Sequence, residues 1–251
     1  MIEGLVSIIM PSYNASRFIA ASINSVLLQT YSNWELLIVD DCSKDNSVEV
    51  AQKFANIDER VKVFPLKKNV GAAAARNVAI EHAKGQYIAF LDSDDVWNDN
   101  KLKRQLAFMK QHSYAFTFSD YYVMEEDGRR TGNIVRVPAS LTYHQYLRNT
   151  IIGCLTVIID RKRTGDFRMP LIKSSHDMAL WLLIMKRGFK AYGMKEVLAG
   201  YRLVSTSNTA KKWKAAKDVW KVYRQIENLS VLYAAYCFGG YALHAVWKRL
   251  R

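Results

Sequence analysis

Through the first hundred residues, short apolar runs alternate with helix-forming segments, and this alternation constrains the fold more than any other feature of the chain. Trp34–Val39 is apolar at every position but one, as expected for a strand that is covered on both faces. Arg17–Thr30 places apolar residues at helical spacing, and Gly71–Lys84 is rich in alanine. Strands that alternate with short helices predict βαβ units and a parallel sheet. We therefore expect an α/β fold.

The same patterns predict the remaining elements. The first hundred residues contain three further strands and one further helix, at Leu5–Met10, Val61–Leu66, Gln86–Leu91 and Asn46–Phe54. After them we expect a helix at Lys101–Gln111, a strand at Tyr114–Met124, a hairpin turn at Glu125–Gly128 and a strand at Leu155–Ile159. A helix at Met178–Arg187, two extended segments over Lys190–Val204 and a basic helix at Lys211–Arg224 follow. The polar run Ser174–Asp177 predicts a side-chain cap at the start of the helix that follows it.

Charge divides the chain into two unlike parts. The net charge is +13, with −4 over residues 1–100 and +17 over the other 151. A basic half usually binds phosphates, in nucleic acid, in lipid head groups or in a phosphorylated substrate. The chain carries no signature of an RNA-recognition, zinc-finger or helix-turn-helix module. We therefore expect no nucleic-acid partner, although a basic nucleic-acid-binding protein remains an alternative to an enzyme.

The first residues and the cysteines indicate a reducing compartment. No basic segment precedes the apolar run Leu5–Met10, which is too short for a signal peptide and predicts a strand. Cys42, Cys154 and Cys237 form no CxxC pair, which argues against a disulfide framework and a zinc knuckle. We expect a cytoplasmic protein.

Polar segments follow three of the predicted strands. Pro11–Asn14 follows the first strand, Asp40 and Asp41 end the second, and Asp92–Asp95 follows Gln86–Leu91. In open α/β sheets, ligands bind beyond the carboxyl ends of the strands. We expect a binding site where these segments meet.

The segment Asp92–Asp95 holds three carboxylates in four residues. Carboxylates this close repel one another at neutral pH unless a cation or a donor-rich ligand neutralises them. Mg²⁺ and Mn²⁺ commonly bind one or two carboxylates together with substrate phosphates, so we predict a divalent-metal site. The alternative is a solvated turn with an N-cap before Trp97, which we favour less because the cluster directly follows an apolar strand.

Two further side chains stand out near this edge. Arg76 lies within an otherwise apolar alanine-rich helix and requires a carboxylate or phosphate partner, such as Asp92 or a diphosphate. Asp41 can accept a hydrogen bond from a nucleobase or a ribose hydroxyl, or cap the helix that begins nearby. Both roles are filled if Asp41 contacts the ligand and Ser43 or Asp45 provides the cap.

Taken together, these segments resemble family 2 of the glycosyltransferases, which have the GT-A fold. The resemblance is carried by PSYN, QTYSNWELLIVDDCSKDNS, NVGAAAARN, YIAFLDSDDVW, HDMALW and YR(x)₂S, in the order of the family. It covers residues 1–208, over four-fifths of the chain. It is closest in kind to bacterial capsule, O-antigen and teichuronic-acid enzymes.

The resemblance implies a mostly parallel, Rossmann-like sheet flanked by helices, and an inverting, metal-dependent transferase. Residues 1–100 would bind a nucleotide-sugar, commonly a UDP-sugar, and residues 101–208 the acceptor. The implied nucleotide-binding residues are Pro11, Tyr13, Asp41, Arg76 and Asp92, and the implied ligand of Mn²⁺ or Mg²⁺ is Asp94. Asp41 would hold the nucleobase, and Asp92 would lie near the ribose and the metal.

The family commonly takes its general base from a Glu-Asp pair at the start of a later helix. Here the pair is His176-Asp177, so the resemblance implies that Asp177 takes the proton of an acceptor hydroxyl. For His176 we expect a capping residue, with a supporting contact near the base as the alternative. The QxxRW motif of processive synthases is absent, which favours transfer of a single sugar.

Residues 209–251 form a helical extension. Lys211–Arg224 carries six basic residues against one acidic residue, and Leu229–Trp247 carries no charge. The uncharged part has the length of a membrane span, but its tyrosines and glycines favour a helix lying in the surface of an anionic membrane. Packing on the domain or in a homodimer is the alternative. Membrane attachment would place the site near a polyprenyl-diphosphate-linked or oligosaccharide acceptor at the inner face of the cell membrane.

Two other functions share part of this pattern. A sugar nucleotidyltransferase also uses a parallel sheet and a metal, but it requires a glycine-rich phosphate loop near the N-terminus, and Met10–Ser16 contains no glycine. A catalytically inactive family member that acts as a scaffold would carry the same motifs. Turnover of a nucleotide-sugar would separate it from an enzyme.

Overall fold

The structure is a computed structural model that describes the backbone of residues 1–204 and 212–247 and the side chains of residues 1–204 and 215–244. The described residues contain one sheet of ten strands: β1 (Ile2–Ser12), β2 (Trp34–Asp40), β3 (Val61–Pro65), β4 (Gly85–Phe90), β5 (Val96–Trp97), β6 (Phe116–Met124), β7 (Arg130–Val135), β8 (Ser140–Leu141), β9 (Ile158–Asp160) and β10 (Ala191–Arg202). They also contain nine α-helices: α1 (Ile19–Leu27), α2 (Ser47–Ala55), α3 (Ala72–His82), α4 (Lys101–His112), α5 (Tyr143–Arg148), α6 (Arg161–Thr164), α7 (His176–Lys186), α8 (Lys212–Lys221) and α9 (Val231–Trp247).

The strand order is β3-β2-β1-β4-β9-β6-β10-β5, with β7 beside β6 and β8 beside β10. Strands β3, β2, β1 and β4 are parallel, and so are β6 and β10. The short strand β9 is antiparallel to β4 and β6 and joins the two parallel groups. The predicted α/β fold with a mostly parallel core is confirmed, and every residue of β2 is buried, as its apolar run predicts.

Apolar side chains pack on both faces of the sheet. On one face, Phe90 and Phe116 each lie with their ring centroids 5.4 Å from Trp181 of α7. On the other face, Ile8 and Leu102 belong to a cluster beneath α1, α2 and α4. Burial of a large apolar side chain contributes about 1.5–3 kcal/mol, so these two layers hold the strand ends in fixed positions.

The C-terminal extension packs against the first of these layers. A π-helical turn, Val222–Ile226, continues α8, and Tyr223, Ala234 and Cys237 are fully buried in the cluster that contains Trp181. Lys186 of α7 forms a salt bridge of 3.0 Å with Glu227. The C-terminal extension therefore packs on the domain through these residues. No helix within the described residues is both long enough and apolar enough to span a membrane.

Three predicted elements differ from the observed ones. The two extended segments expected over Lys190–Val204 are one strand, β10, whose register shifts twice against β6. The strand expected over Leu155–Ile159 begins with a 3₁₀ turn, Cys154–Thr156, so that only its end joins the sheet. The boundary at residues 208 and 209 lies outside the described residues, as do Ser205 of the YR(x)₂S motif and Lys211.

Candidate active site

The carboxyl ends of β1, β2 and β4 meet at one edge of the sheet. Backbone hydrogen bonds extend the pairing past the strand ends. The Asp41 N–H donates to the Ser12 carbonyl at 2.8 Å, and the Leu91 N–H donates to the Ile9 carbonyl at 3.1 Å. Asp41 and Asp92 therefore lie on either side of the end of β1. The sequence places these residues far apart, and the sheet brings them together as predicted.

Hydrogen bonds join the loop after β1 to the loop after β2. The Asn14 N–H donates to Ser43 Oγ at 2.9 Å, and the Ser43 hydroxyl donates to Asp40 at 2.6 Å. Asp45 accepts the N–H of Ser47, the first residue of α2, at 3.0 Å. Asp45 therefore bonds the start of α2, although the N-cap residue is Asn46 and makes no side-chain cap bond, whereas Ser43 fixes the neighbouring loop.

Pro11, Tyr13 and Asp41 occupy this edge in different ways. Pro11 is buried within β1 opposite Val39, and Tyr13 is half exposed on the rim. The Asp41 carboxylate accepts the N–H groups of Val70 and Gly71 at 2.7 and 2.8 Å. Each carboxylate oxygen has a second lone pair, so Asp41 supports the loop before α3 and can still accept a hydrogen bond from a ligand.

The acidic loop, Asp92–Asp95, lies in a buried environment that disfavours the charged form of its carboxylates. Asp95 is almost completely buried, and burial raises its pKa well above the ordinary value. Burial, together with the neighbouring Asp92, raises the pKa of Asp94 to about 6. The repulsion expected from the sequence is therefore present in the fold.

Arg202, the arginine of the YR(x)₂S motif at the end of β10, supports the acidic loop, a role that was not predicted from the sequence. Its N–H donates to Asp95 at 2.9 Å, and its guanidinium donates to the Asp94 carbonyl at 2.7 Å and to the Glu126 carbonyl at 2.9 Å. The side chain is buried. The sequence feature that could have indicated this role is an arginine at the end of an apolar strand. The carboxyl end of that strand lies at the same edge of the sheet.

Arg76 connects the acidic loop to the start of α7. Its buried guanidinium forms an ion pair with Asp92, as predicted, and also lies 2.6 Å from Nε2 of His176. Burial and Arg76 lower the pKa of His176, so the ring is neutral and its Nε2 accepts a hydrogen bond from the guanidinium. Arg76 thus joins the two halves of the domain.

The predicted side-chain cap over Ser174–Asp177 is wrong. Ser175 precedes the helix with a left-handed φ of 57° and makes no capping hydrogen bond through its side chain. The ring of His176 contacts Arg76 instead. The alternative role for His176, a supporting contact beside the predicted base, is the one observed.

Asp177 lies in the first turn of α7, partly buried. Burial raises the pKa of the nearby Cys154 thiol well above its ordinary value. Arg76 opposes this rise, and Asp92 and Asp177 both add to it. His176, the residue before Asp177, contacts Arg76, which in turn pairs with Asp92.

The donor atoms fit a cation that is shared with a ligand. Within the residues that the structure describes, no three His, Cys, Asp or Glu side chains converge into a metal cage. Mg²⁺ and Mn²⁺ often take only one or two carboxylates from the protein and the remaining oxygens from phosphates and water. Burial and Asp92 raise the pKa of Asp94 despite Arg202 and Arg76, and a divalent ion at this carboxylate would add positive charge.

Two relatives are similar over nearly the whole chain. A protein of Bacillus subtilis (strain 168) named as the teichuronic acid biosynthesis glycosyltransferase TuaG is 52% identical over 246 residues, which are 98% of this chain and 98% of that protein. The Escherichia coli UDP-Glc:alpha-D-GlcNAc-diphosphoundecaprenol beta-1,3-glucosyltransferase WfgD is 42% identical over 223 residues, which are 88% of this chain and 86% of that enzyme.

Solved structures with the same architecture share less sequence. S. aureus TarS 1–349 in complex with UDP-GlcNAc has a TM-score of 0.71 and 23% identity, over 96% of this chain and 71% of that chain. Mannosyltransferase PcManGT from Pyrobaculum calidifontis, in complex with GDP-Man and Mn²⁺, has a TM-score of 0.70 and 16% identity, over 98% of this chain and 75% of that chain. These likenesses establish the fold. Residues 7–165 match the model of the family described as Glycosyl transferase family 2, and the chain therefore belongs to this family and is a glycosyltransferase with the GT-A fold.

Proposed function

We propose that this chain transfers one sugar from a UDP-sugar, with inversion, to a hydroxyl of a lipid-linked saccharide in bacterial surface polysaccharide synthesis. The observation that carries the proposal is the contact of Arg76 with both Asp92 and His176, which brings the acidic loop and the predicted base Asp177 to one site. The names of the two relatives support the donor, the acceptor class and the pathway class. A free oligosaccharide is the alternative acceptor.

In the proposed reaction, Asp177 accepts the proton of the acceptor hydroxyl. The hydroxyl oxygen forms a bond to the anomeric carbon of the donor sugar as the bond from that carbon to the diphosphate breaks, and the electron pair leaves with the diphosphate. A single displacement from the opposite face inverts that carbon. Asp41 accepts a hydrogen bond from the base, and Pro11 and Tyr13 shape the rim beside the base and ribose.

The negative charge of the leaving diphosphate requires compensation. A Mn²⁺ or Mg²⁺ ion bound by Asp94 would neutralise that charge. Arg202 and the buried Asp95 hold the loop that carries Asp94, and Asp92, held by Arg76, would lie near the ribose and the metal. The unfavourable burial of Asp94 is then relieved only in the complex with donor and ion.

We also propose that the protein binds the inner face of the cell membrane through α9. Leu232 and Leu243 are 86% and 72% exposed on this helix, and the basic helix α8 precedes it. Replacement of both leucines by aspartate is expected to release the protein from phosphatidylglycerol vesicles, since it removes apolar contact and adds negative charge. A protein that stays soluble beside such vesicles at low salt would refute this. A homodimer through the same face is the alternative, and light scattering at varied concentration tests it.

The central experiment compares UDP- and GDP-sugars for turnover with and without EDTA. We expect turnover of a UDP-sugar that EDTA abolishes. Asp177→Asn should lower kcat by about 10²–10⁴ while UDP with Mn²⁺ still raises its Tm, whereas Asp94→Ala should lose that rise. Asp99→Asn, an exposed carboxylate near the same loop, is the matched control. Donor binding without turnover in the wild type would instead identify a scaffold, and turnover that ignores both EDTA and Asp94 would refute the metal site.

A further inference from the structure

A cavity lies between the segment that precedes α7 and the C-terminal extension. Its volume is about 360 Å³, and its two walls are the segment Ile172–Ser174 and the segment Asp218–Ile226 of the C-terminal extension. Cavities of about 300–1,000 Å³ are typical of small-molecule sites. None of the residues expected to bind the donor lines it.

The lining of this cavity favours an anion. Lys173 lies on one wall and Lys221 on the other, with Ser174 and Gln225 as neutral hydrogen-bonding groups. Asp218 opposes them and lies 3.6 Å from Lys221, whose side chain remains 63% exposed. Two lysines against one carboxylate leave one net positive charge, and an ammonium group retains further donors after one ion pair.

The position of the cavity specifies which anion the site would take. Ser174 precedes Asp177 by three residues, so their Cα atoms are at most about 11 Å apart. In a lipid-linked acceptor, a single sugar ring separates the attacked hydroxyl from the diphosphate on the anomeric carbon. A hydroxyl held by Asp177 would therefore bring that diphosphate within reach of Lys173, and Lys221 lines the same cavity.

The wall formed by Asp218–Ile226 also points to a lipid on the far side of the diphosphate. This segment leads directly into α9, where Leu232, Tyr236 and Leu243 are exposed. A prenyl chain attached to a diphosphate in the cavity would continue along this apolar face. The donor diphosphate has a separate place at the acidic loop, so the cavity is available to the acceptor.

We propose that the cavity between Ile172–Ser174 and Asp218–Ile226 binds the diphosphate of a polyprenyl-diphosphate-linked acceptor, with Lys173 and Lys221 as its ligands. The inference rests on the proposed function for the position of the reacting hydroxyl. It assigns these two lysines to acceptor specificity and gives the C-terminal extension a part in the substrate site.

The test measures binding of geranyl diphosphate, a probe with the diphosphate and prenyl chain but no sugar. Saturating UDP and Mn²⁺ occupy the donor site, and calorimetry reports the affinity of the full-length protein. The double variant Lys173→Ala with Lys221→Ala is expected to bind about tenfold more weakly, because each partly exposed charge pair contributes up to about fivefold. Lys173→Arg with Lys221→Arg should retain the affinity, and Asp218→Asn should increase it several-fold. Lys110→Ala, an exposed lysine of α4, is the matched control.

Kinetics then separate acceptor binding from the chemistry. In the alanine double variant, KM for a prenyl-diphosphate-linked sugar should rise about tenfold, while KM for the UDP-sugar and turnover of an octyl glycoside of the same sugar stay unchanged. Equal affinity for geranyl diphosphate in wild type and double variant would overturn the proposal. So would loss of affinity for phosphatidylglycerol vesicles alone, which would identify a head-group site. If the lysine-dependent binding is present but no UDP-sugar turns over, the cavity assignment stands and the proposed transferase reaction fails.

Discussion

Neutralising Asp94 should stabilise the protein while it removes activity. The pKa of Asp94 is raised from 3.8 to about 6, mainly by burial and then by Asp92. One pKa unit corresponds to about 1.36 kcal/mol, so the ionised side chain costs the folded state about 3 kcal/mol at pH 7. Asp94→Asn keeps the shape and removes the charge. We expect a gain of about 2–3 kcal/mol in the free energy of unfolding without metal, or about 5–10 °C in Tm for a chain of this size.

The stability difference between Asp94→Asn and the wild type should depend on pH. A raised pKa means that the folded state binds the proton more readily than the unfolded state, so the wild type gains stability as pH falls from above 6 toward 4. The advantage of Asp94→Asn should therefore be full at pH 7 and vanish near pH 4. Denaturation by urea in EDTA at both pH values measures it, with Asp99→Asn as the control. A variant less stable than the wild type at pH 7, or a gain that persists unchanged at low pH, would refute the reasoning.

Three further predictions concern the contacts around this loop. His176→Gln keeps an acceptor for Arg76 and should retain most of the wild-type kcat. His176→Leu leaves a buried donor unpaired and should lower kcat about tenfold or more, with the donor KM little changed. Steady-state kinetics of both variants measure these effects. The rise in Tm caused by UDP with Mn²⁺ should shrink as pH falls through about 6, since protonated Asp94 cannot bind a cation, and scans at pH 5 and 7 measure this. Glu227→Gln should lower the free energy of unfolding by about 2–3 kcal/mol through loss of the buried carboxylate's salt bridge with Lys186, while the donor KM stays the same.

The sequence predicted the parts of the fold that depend on local pattern. The continuous apolar run of β2 and the alanine-rich composition of α3 are both local signals, and each element lies where its signal predicts. The edge site was also predictable, because residues after parallel strands meet wherever such strands pair. The pairing of Arg76 with Asp92 followed from the chemistry of a buried guanidinium, which needs a carboxylate near it.

The remainder depends on contacts between distant segments. Arg202 supports the acidic loop only because β10 runs parallel to β6 within the same sheet, and no local pattern reports that order. The ring of His176 contacts Arg76 only because the fold brings the first residue of α7 to the side chain of Arg76 in α3, so the polar run before the helix predicts a cap that is not formed. The single strand β10 was divided in the prediction because its register shifts interrupt the regular alternation.

The acidic loop keeps charged residues at positions where burial makes the charged form unfavourable. A buried Asp95 and a half-buried Asp94 lower the stability of the free protein. Arg76 pairs with Asp92 and Arg202 holds the loop backbone, and their attraction only partly offsets the effect of burial on Asp94. If the loop were purely structural, an uncharged residue at position 94 would serve it better. A carboxylate kept at this cost is consistent with a ligand that arrives with the missing positive charge. The same reasoning explains why Asp94→Asn must be read in both assays, since stability and donor binding should change in opposite directions.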